Sequence, residues 1–136
     1  MKTPDISVVM PTYNSERTLR ISLESIRNQD FPQDKVEILV IDGGSSDKTL
    51  SIALAFGARV IENPRRLPEY AKVIGSRHAN GKYIIFHDSD EVLMNKSSFT
   101  NKFRSFEMNG DIGSVVSTVS YTPKNYSQWC DYTNLL

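Results

Sequence analysis

The sequence predicts a single α/β domain in which a mostly parallel sheet carries helices on both faces. Short apolar runs alternate with segments of helical spacing in the order βαβαβαβαβ, which is typical of parallel sheets. Residues 36–41 are apolar apart from Glu37, so this strand would be buried on both faces, as central parallel strands are. A chain of 136 residues is long enough to bury a core in one domain.

The first strand and helix follow from apolar spacing and turn residues. A strand is predicted at residues 6–10, ending at Pro11, because proline cannot donate a hydrogen bond to a sheet ladder. Leucine and isoleucine then recur at helical spacing, which predicts a helix from about residue 16 to about residue 28. Asn14 or Ser15 is expected to cap this helix.

The second strand and helix are predicted in the same way. The strand at residues 36–41 leads into a polar turn, and Ser45 or Ser46 is expected to cap the helix after it. The apolar face of this helix is assigned to Leu50, Ala53 and Leu54, and its end to Gly57.

The remaining elements alternate in the same fashion. A short strand at 59–61 precedes a helix beginning at Pro68, which suits a first helical position, and Gly81 is expected to cap the helix end. Residues 82–86 are predicted as a buried strand. A phenylalanine-rich helix follows, and residues 112–121 are predicted as the last strand.

Charge and cysteine content narrow the partners and the location. Sixteen basic residues balance sixteen acidic ones, so no polyelectrolyte partner is implied and nucleic acid is a poor candidate. The single cysteine, Cys130, cannot form an internal disulfide, which fits a reducing compartment. The sequence shows no apolar signal region and no transmembrane segment. A cytoplasmic location is expected, or the cytoplasmic face of the membrane if the parent chain is longer.

Acidic side chains follow the strand predicted at residues 82–86. Asp88 and Asp90 stand one residue apart, Glu91 follows, and no lysine or arginine interrupts them. Hard oxygen ligands suit Mg²⁺ or Mn²⁺, and open α/β sheets bind ligands outside the carboxyl ends of their strands. A divalent metal site is predicted here, with a solvated loop or a helix cap as the alternative. His87 is expected to pack or hydrogen-bond rather than to catalyse.

Polar clusters also end the first two strands, and they meet the acidic cluster if strands one, two and four lie side by side. Tyr13 would then flank a nucleotide base, or else be a surface turn aromatic. Asp42 would accept a hydrogen bond from the base or ribose, and Asp90 would hold a metal on the diphosphate. Arg65 and Arg66 are interpreted as solvated loop charges rather than phosphate ligands.

Four motifs along nearly the whole chain resemble the nucleotide-sugar half of family 2 glycosyltransferases. They are residues 6–16, residues 40–49, Gly75 with Ala79, Gly81, Tyr83 and Ile84, and Asp88-Ser89-Asp90. Each motif alone is weak, whereas together they are specific. The resemblance implies the GT-A fold, a Rossmann-like sheet. It also implies metal-assisted transfer of a sugar, with inversion, from a UDP, GDP or dTDP donor to an unidentified acceptor.

The resemblance also implies roles for individual residues. The donor-binding residues would be Pro11, Thr12, Tyr13, Glu16, Asp42, Lys72, Asp88 and Ser89. Asp88 would lie near the ribose, and Asp90, together with Asp88, would bind the divalent metal that bridges the phosphates, the family's DxD motif. A held cation stabilises the negative charge that develops on the leaving nucleoside diphosphate.

The chain departs from the family pattern in two places. Lys72 and Val73 stand where the family often has an Arg-Asn pair, so a cation remains at that position. No Gln-x-x-Arg-Trp motif appears, and the family's catalytic base is expected beyond this region. We therefore expect the chain to be the donor-binding part of a longer enzyme, truncated at its C-terminus. Asp131 is the one acid of the tail offered as a candidate base.

Two other functions compete with an active transferase. A nucleotide-sugar-binding module would use the same fold without turnover. A haloacid-dehalogenase-like phosphatase would use Asp88 as nucleophile and Asp90 as acid, but it needs a later lysine and acidic pair for which too little chain remains. A dinucleotide dehydrogenase is not indicated, since no Gly-x-Gly-x-x-Gly follows the first strand.

Overall fold

The computed structural model describes residues 3–111 and 113–115. Its elements are β1 (Ile6–Thr12), α1 (Leu19–Arg27), a 3₁₀ turn (Gln33–Lys35), β2 (Val36–Asp42), α2 (Thr49–Ala55), β3 (Arg59–Glu62), α3 (Pro68–His78), β4 (Tyr83–Phe86) and α4 (Ser98–Met108). The four strands form a parallel sheet in the order β3-β2-β1-β4. The predicted adjacency of strands one, two and four is confirmed.

The sheet lies entirely in one compact unit, Met1–Thr100. The second unit, Asn101–Leu136, contains the rest of α4 among its described residues. Most of the strand predicted at 112–121 lies outside the described residues, as does Asp131. Within the described part of the chain, none of the helices has both the length and the apolar content needed to cross a bilayer.

Helices cover both faces of the sheet, as predicted. On one face Val9, Leu39 and Ile41 form a fully buried cluster with Ala71 of α3. On the other face Ser22 of α1 contacts the ring of His87, which directly follows β4. The two central strands are therefore apolar on both faces, which explains their nearly continuous hydrophobic sequences.

β1 extends two residues beyond the predicted strand, which comprised residues 6–10 and was stopped by Pro11. On the β4 side of β1, the carbonyl of Val9 accepts from the His87 N–H, and the pairing of these two strands ends there. The nitrogen of Pro11 faces that same side, so no ladder bond is lost. On the opposite side Thr12 continues the pairing with β2, and its carbonyl accepts from the Gly43 N–H at 2.9 Å.

β4 is an edge strand of the described sheet, not the buried strand predicted at residues 82–86. Ile84 and Phe86 are 38% and 48% exposed, and they alternate with half-buried neighbours. A short apolar run has the same sequence whether its strand is central or at an edge, which is why the prediction failed.

The helix starts are capped differently from the prediction. α1 begins at Leu19 with Thr18 at the cap position, and neither Asn14 nor Ser15 makes a side-chain bond to it. For α2, the carboxylate of Asp47, rather than a serine, accepts the Thr49 N–H at 2.9 Å.

One member of the predicted apolar face of α2 was wrong, whereas the end of the helix was predicted correctly. Ala53 is buried as predicted and Leu50 is partly buried, but Leu54 is 62% exposed and Ile52 is buried in its place. Gly57 follows the helix with a φ of 71°, a left-handed conformation that glycine adopts without strain. Pro68 opens α3, also as predicted.

Gly81 does not cap α3, which ends at His78 with Ala79 at its C-cap, but lets the chain pass close to β1. A Cβ on Gly81 would lie 2.5 Å from the backbone nitrogen of Ser7. The Ser7 hydroxyl accepts from the Gly81 N–H and donates to Glu37, whose carboxylate also accepts from the Asn80 N–H at 2.6 Å. Burial raises the pKa of Glu37, but the hydrogen bonds from Ser7 and Asn80 lower this pKa by a larger amount, so that it lies below its ordinary value.

Candidate functional site at the carboxyl edge of the sheet

Three loops leave the sheet at the same edge, because β1, β2 and β4 are parallel. We call them loop 1 (residues 13–16), loop 2 (residues 43–48) and the acidic loop (residues 87–91). The acidic loop contacts loop 1 directly, since the Ser89 hydroxyl lies 3.0 Å from the Ser15 hydroxyl. The three predicted polar clusters therefore converge at one place.

Asn14 of loop 1 is joined to loop 2 by reciprocal hydrogen bonds. Its N–H donates to the Ser45 hydroxyl at 2.8 Å, and its side-chain oxygen accepts from the Ser46 N–H at 2.9 Å. Asn14 has a φ of 48°, a left-handed conformation that asparagine tolerates better than most residues. These bonds occupy backbone groups that would otherwise need water.

Glu16 extends this exchange to the residues that precede both helices. Its N–H donates to Asp47 at 3.1 Å, and its carboxylate accepts from the Lys48 N–H at 2.9 Å. The Ser15 N–H donates to the Thr49 hydroxyl at 2.7 Å. Each loop thus satisfies backbone donors of the other, and loops 1 and 2 form one interlocked surface. Glu16, which was predicted to bind the donor, thus forms hydrogen bonds that hold loop 1 and loop 2 together.

Asp42 organises loop 2 from the end of β2. It is 4% exposed, and its carboxylate accepts four hydrogen bonds. One oxygen accepts from the hydroxyls of Thr12 and Ser45, at 2.8 and 2.6 Å. The other accepts from the N–H groups of Gly44 and Ser45, at 2.9 and 2.7 Å. These bonds fill about four acceptor positions, which is the capacity of a carboxylate.

Tyr13 projects from loop 1 beside Arg66, which was interpreted from the sequence as a solvated loop charge. The ring is 53% exposed, and the guanidinium of Arg66 lies 5.7 Å from its centroid. The backbone N–H of Arg66 donates to the carbonyl of Asn63, whose own N–H donates to the backbone carbonyl of Asp42 at 2.7 Å. Arg66 follows β3, the parallel neighbour of β2, so its position at the same edge follows from strand order. The sequence alone did not show that β3 pairs with β2, and this strand order was the information needed to place Arg66 beside Tyr13.

Lys72 of α3 reaches the acidic loop. Its ammonium lies 3.9 Å from the Asp88 carboxylate, and both side chains remain partly exposed. The same ammonium lies 6.0 Å from the ring centroid of Phe86. The structure therefore brings together two of the predicted donor-binding residues, Lys72 and Asp88, from different elements.

His87 anchors the acidic loop to α1. Its ring is buried, and Nε2 lies 3.1 Å from both the Ser22 hydroxyl and the Glu91 carbonyl. Nδ1 lies 3.4 Å from the Glu91 carboxylate, which itself accepts the Asp88 N–H at 3.1 Å. The prediction that His87 packs and hydrogen-bonds is confirmed.

The acidic loop concentrates negative charge. Burial raises the pKa of Glu91, and the charges of Asp88 and Asp90 raise it further, against the lowering effects of the Asp88 N–H and of Lys72. Within the described residues, no set of three or more His, Cys, Asp or Glu side chains is gathered to hold a metal. The loop therefore offers carboxylate oxygens and a negative field, but not a complete set of protein ligands.

The sequence profile of glycosyl transferase family 2 matches residues 7–134, nearly the whole chain. The chain belongs to this family. The phosphatase interpretation, which needed Asp88 as a nucleophile, is set aside. The parallel sheet is that of the GT-A glycosyltransferases among its structural neighbours.

Curated relatives are named glycosyltransferases. A dolichyl N-acetyl-α-D-glucosaminyl phosphate 3-β-D-2,3-diacetamido-2,3-dideoxy-β-D-glucuronosyltransferase of Methanococcus voltae is 28% identical over 128 residues, which cover 85% of this chain and 40% of the relative. The poly(ribitol-phosphate) β-N-acetylglucosaminyltransferase TarS of Staphylococcus aureus is 32% identical over 93 residues, which cover 64% of this chain and 16% of TarS. The chain thus spans less than half the length of these relatives.

Solved structures share the fold. The crystal structure of residues 1–349 of S. aureus TarS in complex with UDP superposes with a TM-score of 0.71 at 25% identity, covering 85% of this chain and 39% of that one. The mannosyltransferase PcManGT of Pyrobaculum calidifontis, in complex with GDP-Man and Mn²⁺, superposes with a TM-score of 0.70 at 27% identity. That match covers 77% of this chain and 33% of the mannosyltransferase.

Proposed function

We propose that this chain binds a nucleotide-diphosphate sugar at the carboxyl edge of its sheet, as the donor half of an inverting, metal-assisted glycosyltransferase. The observation that carries the proposal is the convergence of loop 1, loop 2 and the acidic loop, with Ser89 in contact with Ser15. The complexes of the solved relatives with UDP and with GDP-Man support a nucleotide-sugar ligand. The base, the sugar and the acceptor are left open.

The nucleoside is assigned to the interlocked loops. Tyr13 presents an exposed ring for stacking on a base, and Arg66 beside it supplies a cation for the base or a phosphate. Asp42 holds loop 2 in place through its four hydrogen bonds, and a donor group of the ligand would share the carboxylate oxygens with these bonds. Thr12 and Pro11 lie at the end of β1, where the nucleoside would meet the sheet edge.

The divalent metal is assigned to Asp90, with Asp88 beside it. Carboxylate oxygens are hard ligands. Burial raises the pKa of Glu91 and repulsion from Asp88 and Asp90 raises it further, and a cation would relieve that repulsion. Because the described residues do not supply a full ligand set, the affinity for Mg²⁺ or Mn²⁺ should be low until the diphosphate adds oxygens. A bound cation would supply electrostatic stabilisation of the leaving diphosphate. Lys72 would add positive charge next to Asp88.

Transfer with inversion also needs a base within hydrogen-bond reach of the acceptor hydroxyl. We do not assign that role to Glu91, because its carboxylate is held by the Asp88 N–H and lies beside His87. By resemblance to the family, the base is expected later in the sequence than the acidic loop, and Asp131 of the tail is the candidate that we offer in this chain. We therefore expect the chain alone to bind donor and to glycosylate acceptors poorly, since losing a general base typically lowers rates by about a hundred- to ten-thousand-fold.

The test is calorimetry with UDP, UDP-GlcNAc and GDP-Man in the presence of Mn²⁺. Binding of one donor should weaken on Asp90→Ala or on chelation of the metal, whereas Asp111→Ala, after α4, should leave it unchanged. Undiminished binding in both the variant and the chelated sample would contradict the proposed metal role. If no nucleotide binds at all, the proposed donor site is wrong.

A second assay separates a transferase from a binding module. Release of nucleotide from the bound donor would be followed with a mixed acceptor pool, for residues 1–136 and for the native protein that contains them. Turnover by the native protein supports the transferase, and tight donor binding without turnover by the native protein supports the module. Efficient acceptor glycosylation by residues 1–136 alone would contradict the assignment of a donor half, and Asp131 would then be the first residue to mutate.

A further inference from the structure

A cleft of about 360 Å³ opens between the N-terminal ends of α1 and α2. Its lining consists of Glu16, Arg17, Arg20, Lys48, Ser51 and Ile52. Of these only Glu16 was assigned to the donor, and the residues proposed for base, ribose and metal are not part of the lining. The cleft is therefore a separate concavity that borders loop 1 and loop 2.

The cleft concentrates positive charge in a chain whose net charge is zero. Arg17, Arg20 and Lys48 are exposed, and none of them forms a salt bridge with another described residue. The one acid in the lining, Glu16, directs its carboxylate to the Lys48 N–H at 2.9 Å. Two of the three cationic charges are thus uncompensated within the lining.

Parts of this lining are held in place by their surroundings. The guanidinium of Arg20 lies 5.8 Å from the ring centroid of Phe56, which limits its freedom on the helix surface. The Ser51 hydroxyl donates to the Lys48 carbonyl at 2.9 Å, and Ile52 closes the floor at 8% exposure. Side chains held in this way lose less conformational entropy when a ligand binds.

We infer that this cleft binds a phosphate-bearing group. Guanidinium groups present planar forks of donors that match phosphate oxygens, and a nearby ammonium adds a point charge. Arg17 lies in the turn before α1 and Arg20 in the first turn of that helix, and both line the cleft together with Lys48. The phosphate can belong to a soluble phosphate ester or to an anionic lipid headgroup, because both present the same oxygens. The site stands apart from the proposed donor function.

The experiment follows backbone amide chemical shifts of the ¹⁵N-labelled full chain during titration with inorganic pyrophosphate. A second arm measures sedimentation with phosphatidylcholine vesicles that contain or lack phosphatidylglycerol. The variant is Arg17→Gln with Arg20→Gln. The charge-matched control is Arg77→Gln with Lys96→Gln, two exposed cations outside the cleft.

The wild type and the control should show saturable shifts at Arg20, Lys48 and Ser51, or binding that depends on phosphatidylglycerol. The variant should bind about tenfold more weakly, and the difference should shrink at high salt. Binding of pyrophosphate identifies a soluble ester as the source, and binding of vesicles only identifies a lipid. Equal binding by variant and control, or no binding of either probe, would overturn the inference. A separate titration with UDP reports on the donor site: if UDP leaves the amide shift of Tyr13 unchanged, the proposed donor site is contradicted and the inference about the cleft is not affected.

Discussion

Substitution of Asp42 tests how loop 2 is held. In Asp42→Ala, the N–H groups of Gly44 and Ser45 lose a charged acceptor at 2.9 and 2.7 Å. A hydrogen bond to a charged group contributes about 1.5–3 kcal/mol, so the two together contribute about 3–6 kcal/mol. Water can reach the exposed Gly44, which reduces the expected loss of unfolding free energy to about 2–4 kcal/mol.

Asp42→Asn is the matched control, and it should behave differently. The amide oxygen can take the side that faces the two N–H groups, while the NH₂ faces the hydroxyls of Thr12 and Ser45, which can rotate to accept. We expect a loss of only about 1 kcal/mol for the removed charge. If Asp42 also accepts from the nucleoside, this variant should lose donor affinity while keeping its fold.

Both variants would be measured by urea unfolding followed by circular dichroism, with amide hydrogen exchange at Gly44 and Ser45 as the local readout. In Asp42→Ala these two amides should lose their protection before the rest of the sheet does. Unchanged protection, or equal stability of the two variants, would refute the assignment of Asp42 as the organiser of loop 2.

Three further predictions follow from the packing. Gly81→Ala should lower the unfolding free energy by about 3 kcal/mol, because its Cβ would meet the backbone of Ser7 in the central strand β1, and a normal urea midpoint would contradict this. Glu37 has a lowered pKa in the fold, so it stabilises the fold at pH values above its ordinary pKa, and this stabilisation is lost as the pH falls through the folded pKa. Glu37→Gln should therefore reduce the dependence of the unfolding free energy on acid pH, as measured by urea unfolding at several pH values. An unchanged dependence would show that another group is responsible for it. His87→Ala should lower the unfolding free energy by about 2–4 kcal/mol, because it leaves a cavity and removes the contact with Ser22, and it should weaken Mn²⁺-dependent nucleotide binding. If neither the stability nor the binding decreases, the acidic loop does not need this anchor.

The architecture could be predicted because its signals are local. Apolar runs and helical spacing alternate along the chain, and this alternation alone favours a parallel sheet with helices on both faces. Polar residues at the ends of three strands could be placed at one edge because parallel strands end on the same side. Tyr13, Asp42 and Asp88 were recognised in this way, and the structure brings their loops together.

The details of the site could not be predicted, because they depend on which residue lies across from which. The Glu16 N–H donates to the Asp47 carboxylate across 31 positions of sequence, so no local cap rule could pair them. Arg66 reaches Tyr13 only because β3 lies beside β2, and a sequence read along the chain does not state that order.

The sequence by itself determined the succession of elements, because hydrophobic period and turn chemistry act over a few residues. The tertiary structure decided which strands pair, which strand lies at the edge of the sheet, and which residues distant in sequence come into contact. Pro11 remains in β1 because the β4 pairing has already ended on the side its nitrogen faces. Gly81 is required not by its own turn but by the backbone of Ser7 against which it lies. Both depend on a neighbour distant in sequence, which only the folded chain supplies.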